Sequence, residues 1–170
     1  MPYTLEVLDQ FTNRAEIEAL LREYLDWAVP LFNQQNNLDV DVNVALAGAF
    51  SDLAMFLPPD GCTVLARDAL GVANAVGFSQ KIRPGAVEVK RLFVRPAARG
   101  EGLGQRLILK LVDEARKAGH SEMYLDTADF MSSAHTLYRS LGFREIDGYP
   151  EAEHQRDVSP HVIYMVLALD

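Results

Sequence analysis

Arg99-Gly100-Glu101-Gly102-Leu103-Gly104-Gln105 is a stretch whose residue types suit an anion. Glycines let backbone come close to a ligand, and the first turn of a following helix would leave N–H groups aimed into the loop. Those donors and the positive end of the helix dipole favour phosphate. Spacing decides which phosphate ligand. A dinucleotide fingerprint needs Gly-x-Gly-x-x-Gly, but the last glycine would fall on Gln105 counting from Gly100, or on Leu107 counting from Gly102. A P-loop needs Gly-Lys-Ser/Thr, whereas Gly104 is followed by Gln105-Arg106. What remains is Arg99-x-x-Gly102-x-Gly104.

The neighbouring residues must place this loop between a strand and a helix. Ala86 to Val94 is an apolar run that leads into Arg95-Pro96. Leu103, Leu107, Ile108, Leu111, Val112, Ala115 and Ala118 recur at helical spacing. Upstream, Tyr3 to Leu8 alternates like a strand. Asn13 with Glu16 forms a capping pair for a helix carrying Ile17, Leu20, Leu21, Tyr24, Leu25 and Ala28, expected to end before Pro30. Residues 31 to 41 read as a loop. Val42 to Leu57 reads as a second helix stopped by Pro58-Pro59. Cys62 to Ala66 and Val72 to Gln80 form an antiparallel pair with Ala86 to Val94 as its third member. After the glycine loop and its helix come a strand from Glu122 to Thr127, a helix from Ser133 to Leu141 closed by Gly142, and strands Phe143 to Ile146 and Val162 to Leu169. The expected order is β-α-α-β-β-β-α-β-α-β-β, an α/β (α+β) arrangement with a mixed sheet of about seven strands and about four helices.

With 170 residues, 49% hydrophobic and 24% charged, the chain has the composition of one globular domain spanning 1–170. No apolar stretch reaches the roughly 18 residues of a membrane span. The first residues lack the basic and apolar regions of a signal peptide, so the expected location is cytoplasmic. A net charge of −8 argues against nucleic-acid binding. The single cysteine, Cys62, excludes an internal disulfide and a cysteine-based metal cluster, and reads as a small core or edge residue.

A second segment, Ala134-His135-Thr136-Leu137-Tyr138-Arg139-Ser140-Leu141-Gly142-Phe143, follows the glycine motif after one helix and one strand. With Arg99-x-x-Gly102-x-Gly104 it resembles the GNAT superfamily of acetyl-CoA-dependent N-acetyltransferases. The texts Val89 to Pro96 and Leu125-Asp126-Thr127 are similar to small bacterial members of that superfamily. The resemblance covers essentially the whole chain and is specific from Glu88 to Phe143.

It implies an enzyme that passes an acetyl group from acetyl-CoA, without a metal, to an amine of a small molecule, protein or peptide. The alternative is a non-catalytic acyl-CoA-binding sensor of the same fold. By resemblance, the pantetheine arm pairs with the main chain of Leu92, Phe93 and Val94, and pyrophosphate sits on the amides of Arg99, Gly100, Gly102, Leu103, Gly104 and Gln105. Tyr138 matches the tyrosine that protonates the leaving thiolate. Glu88 is the candidate base, with Lys90 on the same strand face as a salt-bridge partner. Asp126, His135 and ordered water are the other candidates for that task, while His120, His154 and His161 read as loop or strand-edge residues. Many relatives carry Asn where Met131 stands, which moves one cofactor contact to Ser132 or Ser133. Acceptor choice should lie with the first two helices, their loop, and the loop around Gly148-Tyr149-Pro150. Homodimers are common in the superfamily.

Overall fold

The structure is a computed structural model that describes residues 2–51, 53–154 and 160–170. Seven strands, β1 (Thr4–Val7), β2 (Gly61–Arg67), β3 (Ala73–Arg83), β4 (Ala86–Val94), β5 (Glu122–Ala128), β6 (Arg144–Ile146) and β7 (Val162–Ala168), form one sheet in the order β1-β2-β3-β4-β5-β7-β6. Every neighbouring pair is antiparallel except β4–β5, which is parallel. Helices α1 (Arg14–Asn36) and α2 (Val42–Ser51) bury Ile17, Leu20, Leu21, Leu46 and Ala49 against Leu65, Val76, Phe78 and Phe93 on one face. On the other face α3 (Leu103–Lys117) and α4 (Ser132–Ser140) pack Leu107, Ile108, Leu111 and Tyr138 over Val64, Ala75, Val87, Val89 and Leu125. Strand alternation sends neighbouring residues to opposite layers, so one sheet carries both cores.

The expected element order holds, with shifts at two places. The first helix does not end before Pro30; it runs through it to Asn36, where Asn37 adopts φ 53° and donates its N–H to the Asn33 carbonyl. An internal proline removes one helical bond at a cost of about 3 kcal/mol. Here side chains on both sides of the break have partners: Leu25 and Val29 are core, and the Phe32 ring stands 5.0 Å from that of His154. Residues 31–36 are thus helix rather than loop. In the second helix, the turn Leu53–Phe56 is 3-10, which buries Leu53 and Phe56 in the same core.

Two features of β4 shape the centre of the molecule. Its parallel pairing with β5 covers only Ala86↔Glu122, Val87↔Met123 and Glu88↔Tyr124, after which the strands part. Its pairing with β3 shifts register between Phe78↔Lys90 and Val76↔Phe93, which leaves Arg91 and Leu92 opposite Gly77. Arg91 takes φ 50° at this bulge, a left-handed conformation rare outside glycine. A Cβ on Gly77 would stand 3.0 Å from Leu92 Cδ1 and 3.2 Å from Leu111 Cδ1, so glycine here lets both leucines pack close to the strand.

Candidate active site

The glycine loop enters α3 as its spacing demands. Gly100 and Gly102 have φ of 85° and 70°, values that glycine adopts without strain, and a Cβ at either would meet nothing within 4 Å. Gly102 is the N-cap, so no side chain caps the helix, and its first turn holds no acidic residue. Arg106 closes that turn by donating its N–H to the Gly102 carbonyl at 3.1 Å. The backbone of Leu103, Gly104 and Gln105 thus presents a helix N-terminus suited to an anion. Leu103 turns its side chain into the core, and Gly104 lets Leu137 of α4 close to 3.3 Å of where a Cβ would be. Arg99 braces the loop: its Nε donates to the Val94 carbonyl at 3.2 Å.

Beyond Glu88 the parted strands frame a cavity of about 440 Å3. Its floor is Val89, Lys90 and Arg91 of β4 with Asp126, Thr127 and Ala128 of β5, and its walls include Tyr24, Leu25, Val29 and Phe32 of α1. Ala45 and Ala49 of α2, then Phe130, Met131, Glu153 and His154, complete it. Leu92 and Val94 pack toward the α3 layer and Phe93 toward α1, where its ring is 6.0 Å from that of Tyr24.

Glu88 lies behind this floor and is 1% exposed. Its Oε1 stands 3.2 Å from Lys90 Nζ, which also donates to Glu153 at 2.9 Å. Burial lifts the Glu88 carboxyl to about 7, against the opposing pull of the Lys90 charge. Burial depresses the Lys90 ammonium, but Glu153 and Glu88 outweigh it and leave its affinity for the proton above normal. Glu88 Oε2 and the Tyr149 hydroxyl are both buried without a hydrogen bond among the described residues. Burial, and then the Glu88 charge, hold the Tyr149 phenol far above its usual range. Tyr149 is a core residue between Tyr124 and Tyr164 rather than a cavity wall.

Tyr138 belongs to the opposite layer, in the core under α3 and α4. It is 6% exposed, with its ring 5.6 Å from Phe143. Burial raises its phenol well beyond the ordinary value and Tyr24 adds to the shift, so it stays protonated. Tyr24 is pushed up to about 12, by burial first; Arg91 lowers it while Glu153 and Asp126 raise it.

The other sequence candidates separate. Asp126 lines the cavity, accepting the His154 backbone N–H at 3.0 Å and lying 3.4 Å from His154 Nδ1. His154 is therefore a wall residue and not a mere loop position. Burial lowers its proton affinity but Asp126 more than restores it, for a net rise. His135 is 4% exposed and its Nε2 is 2.9 Å from the Ala128 carbonyl and 3.3 Å from Thr127 Oγ1, so it ties α4 to the end of β5. Met131 is the α4 N-cap, with Thr127 Oγ1 donating to its sulfur at 3.6 Å, and both Ser132 and Ser133 are exposed. Sequence reasoning missed Tyr24, Arg91, Glu153 and His154. No motif marks them; only the bulge and the return of the chain after β6 bring them together.

A model of the Acetyltransferase (GNAT) family matches residues 14–143. The chain belongs to this family. An uncharacterized N-acetyltransferase of Schizosaccharomyces pombe is 32% identical over 155 residues, 91% of this chain and 87% of that protein. The IAA acetyltransferase of Azospirillum brasilense is 33% identical over 120 residues, 71% and 78% of the respective chains. Among solved structures, a GNAT-family acetyltransferase from Staphylococcus aureus superposes with TM-score 0.71 at 18% identity, covering 98% of this chain and all of that one (100%). A phosphinothricin acetyltransferase from Sinorhizobium meliloti, in complex with AcCoA, gives 0.69 at 18%, covering 99% and 89%. The GNAT chain described here has the family's seven-stranded mixed sheet with four helices and is an acetyltransferase.

Proposed function

We propose that this enzyme transfers acetyl from acetyl-CoA to a primary amine by direct attack of the amine on the thioester. The observation that carries the reading is the parting of β4 and β5 after Glu88. It puts the α3 glycine turn and Tyr138 on one side of the sheet and a cavity with carboxylates on the other. The open turn at Gly100 and Gly102 leads into a helix whose first turn is uncapped by a side chain and holds no acidic residue, which fits a pyrophosphate. The exposed edge of Leu92, Phe93 and Val94 fits an amide-bearing arm that pairs like an added strand.

In this reading each residue has a definite task. The bulge at Arg91 unpairs backbone next to Leu92 and Phe93, and an N–H there holds the oxyanion of the tetrahedral adduct. Glu88 takes the proton that the acceptor ammonium loses, relayed through water, while the Lys90 ammonium beside it stays charged. The amine nitrogen bonds to the carbonyl carbon, the C–S bond breaks, and the Tyr138 hydroxyl protonates the departing thiolate. Ser133, exposed at the start of α4, offers a hydroxyl to the cofactor arm in place of the side chain that Met131 lacks.

Tyr138→Phe tests the acid directly, since phenylalanine fills the same buried space. The expected result is a loss of about 100-fold in kcat with acetyl-CoA affinity retained. Full activity in the variant removes Tyr138 from the mechanism.

A further inference from the structure

Two donors in the cavity lack acceptors among the described residues. The Arg91 guanidinium makes no hydrogen bond there; its ion-pair contact, to Glu153 Oε1, is 3.9 Å long. Glu153 is held more closely by Lys90, at 2.9 Å, and Lys90 also serves Glu88 at 3.2 Å. Asp126 is engaged by His154. Arg91 is thus the cavity cation with the weakest counter-charge, and it is largely withdrawn from solvent, its side chain 15% exposed. Its guanidinium carbon lies over the Phe56 ring, 5.7 Å from the centroid, a cation–π contact that uses none of its N–H groups. Tyr24, on the facing helix, lines the same cavity, and its hydroxyl likewise makes no hydrogen bond among the described residues.

A fork and a phenol on the wall of one cavity, near enough for the Arg91 charge to act on Tyr24 and without an acceptor among the described residues, suit a carboxylate. The geometry points to an acceptor that carries a carboxylate beside its amine: a free α-amino acid with an apolar or aromatic side chain. Its carboxylate meets Arg91 and Tyr24, its amine turns to Asp126, and its side chain lies against Leu25, Val29 and Phe32. The cavity, about 440 Å3, falls within the roughly 300–1,000 Å3 range of small-molecule sites. A simple monoamine would leave Arg91 desolvated and unpaired, and a peptide N-terminus would offer it only a neutral amide. This inference rests on the acetyl-transfer reading above and adds the acceptor class.

The test compares phenylalanine, phenylalaninamide and phenethylamine, then the leucine series, by thiol release from acetyl-CoA. The amide's amine is easier to deprotonate than that of the free acid, so a preference for the acid runs against intrinsic reactivity. The expected kcat/KM for the acid exceeds that for amide and amine by about tenfold or more, chiefly through KM. Arg91→Gln should erase most of that acid-to-amide ratio and Arg91→Lys part of it. Both replacements are unbranched and make the same backbone demand as the native residue at φ 50°. An acid no better than its amide, or a preference that survives Arg91→Gln, overturns the inference while acetyl transfer stands. If no amine of the panel is acetylated and no thiol is released, the transfer reading falls and this inference with it.

Discussion

Glu88 and Lys90 sit two residues apart on one face of β4, and an ion pair between them is legible in the sequence. The structure supplies it at 3.2 Å. What the sequence could not convey is depth. Glu88 is sealed from solvent, and desolvation outweighs the neighbouring cation, lifting its carboxyl from 4.5 to about 7. A carboxyl poised there changes charge in the range where a base is most useful. The expected pH profile of kcat/KM therefore has a rising limb near 7 that Glu88→Gln abolishes, leaving only the titration of the acceptor amine. Stability gives an independent readout. Because the folded pKa is raised, the contribution of this group is present below its unfolded value of 4.5 and lost as pH rises through about 7. Wild type should thus lose Tm relative to Glu88→Gln between those values in a melting series. Arg91 marks the opposite limit of legibility: nothing in Lys90-Arg91-Leu92 announces a left-handed arginine, which the bulge opposite Gly77 creates.

The elements that carry the donor side were readable because local pattern and tertiary role agree. Helix α3 places Leu103, Leu107, Ile108, Leu111, Val112 and Ala115 on one buried stripe, at the spacing the residues dictate. The glycine loop before it has positive φ where its text demanded glycine. Gly102→Ala places a Cβ in a left-handed N-cap, at a cost of about 1–2 kcal/mol. The expected result is a lower Tm and a several-fold higher KM for acetyl-CoA than in wild type. The acceptor side was less readable. Helix α1 crosses Pro30 because Leu25 and Val29 are core before it and Phe32 meets His154 after it, a contact between residues far apart in the chain. Local propensity could not foresee that partner. His154, outside any strand, reaches the cavity through Asp126 of β5, far from it in the chain, so its role was equally hidden.

At the scale of the whole molecule, the sheet divides the labour. The glycine turn and α4 lie on one face, the cavity lined by α1 and α2 on the other, and the two meet where β4 and β5 part. Under the proposed direct transfer, both substrates are present together and no covalent acetyl-enzyme forms. Cys62, the chain's single cysteine, is buried beneath α3, and burial pushes its thiol up to about 12, so it is a poor nucleophile. The central claim is tested most directly by intact-mass measurement of the enzyme with acetyl-CoA alone, followed by product analysis after an amine acceptor is added. Direct transfer gives an unmodified protein in the first step, then N-acetylated product and free CoA thiol in equal amounts. An acetylated protein that discharges to the amine, or thiol release without N-acetylated product, would contradict it.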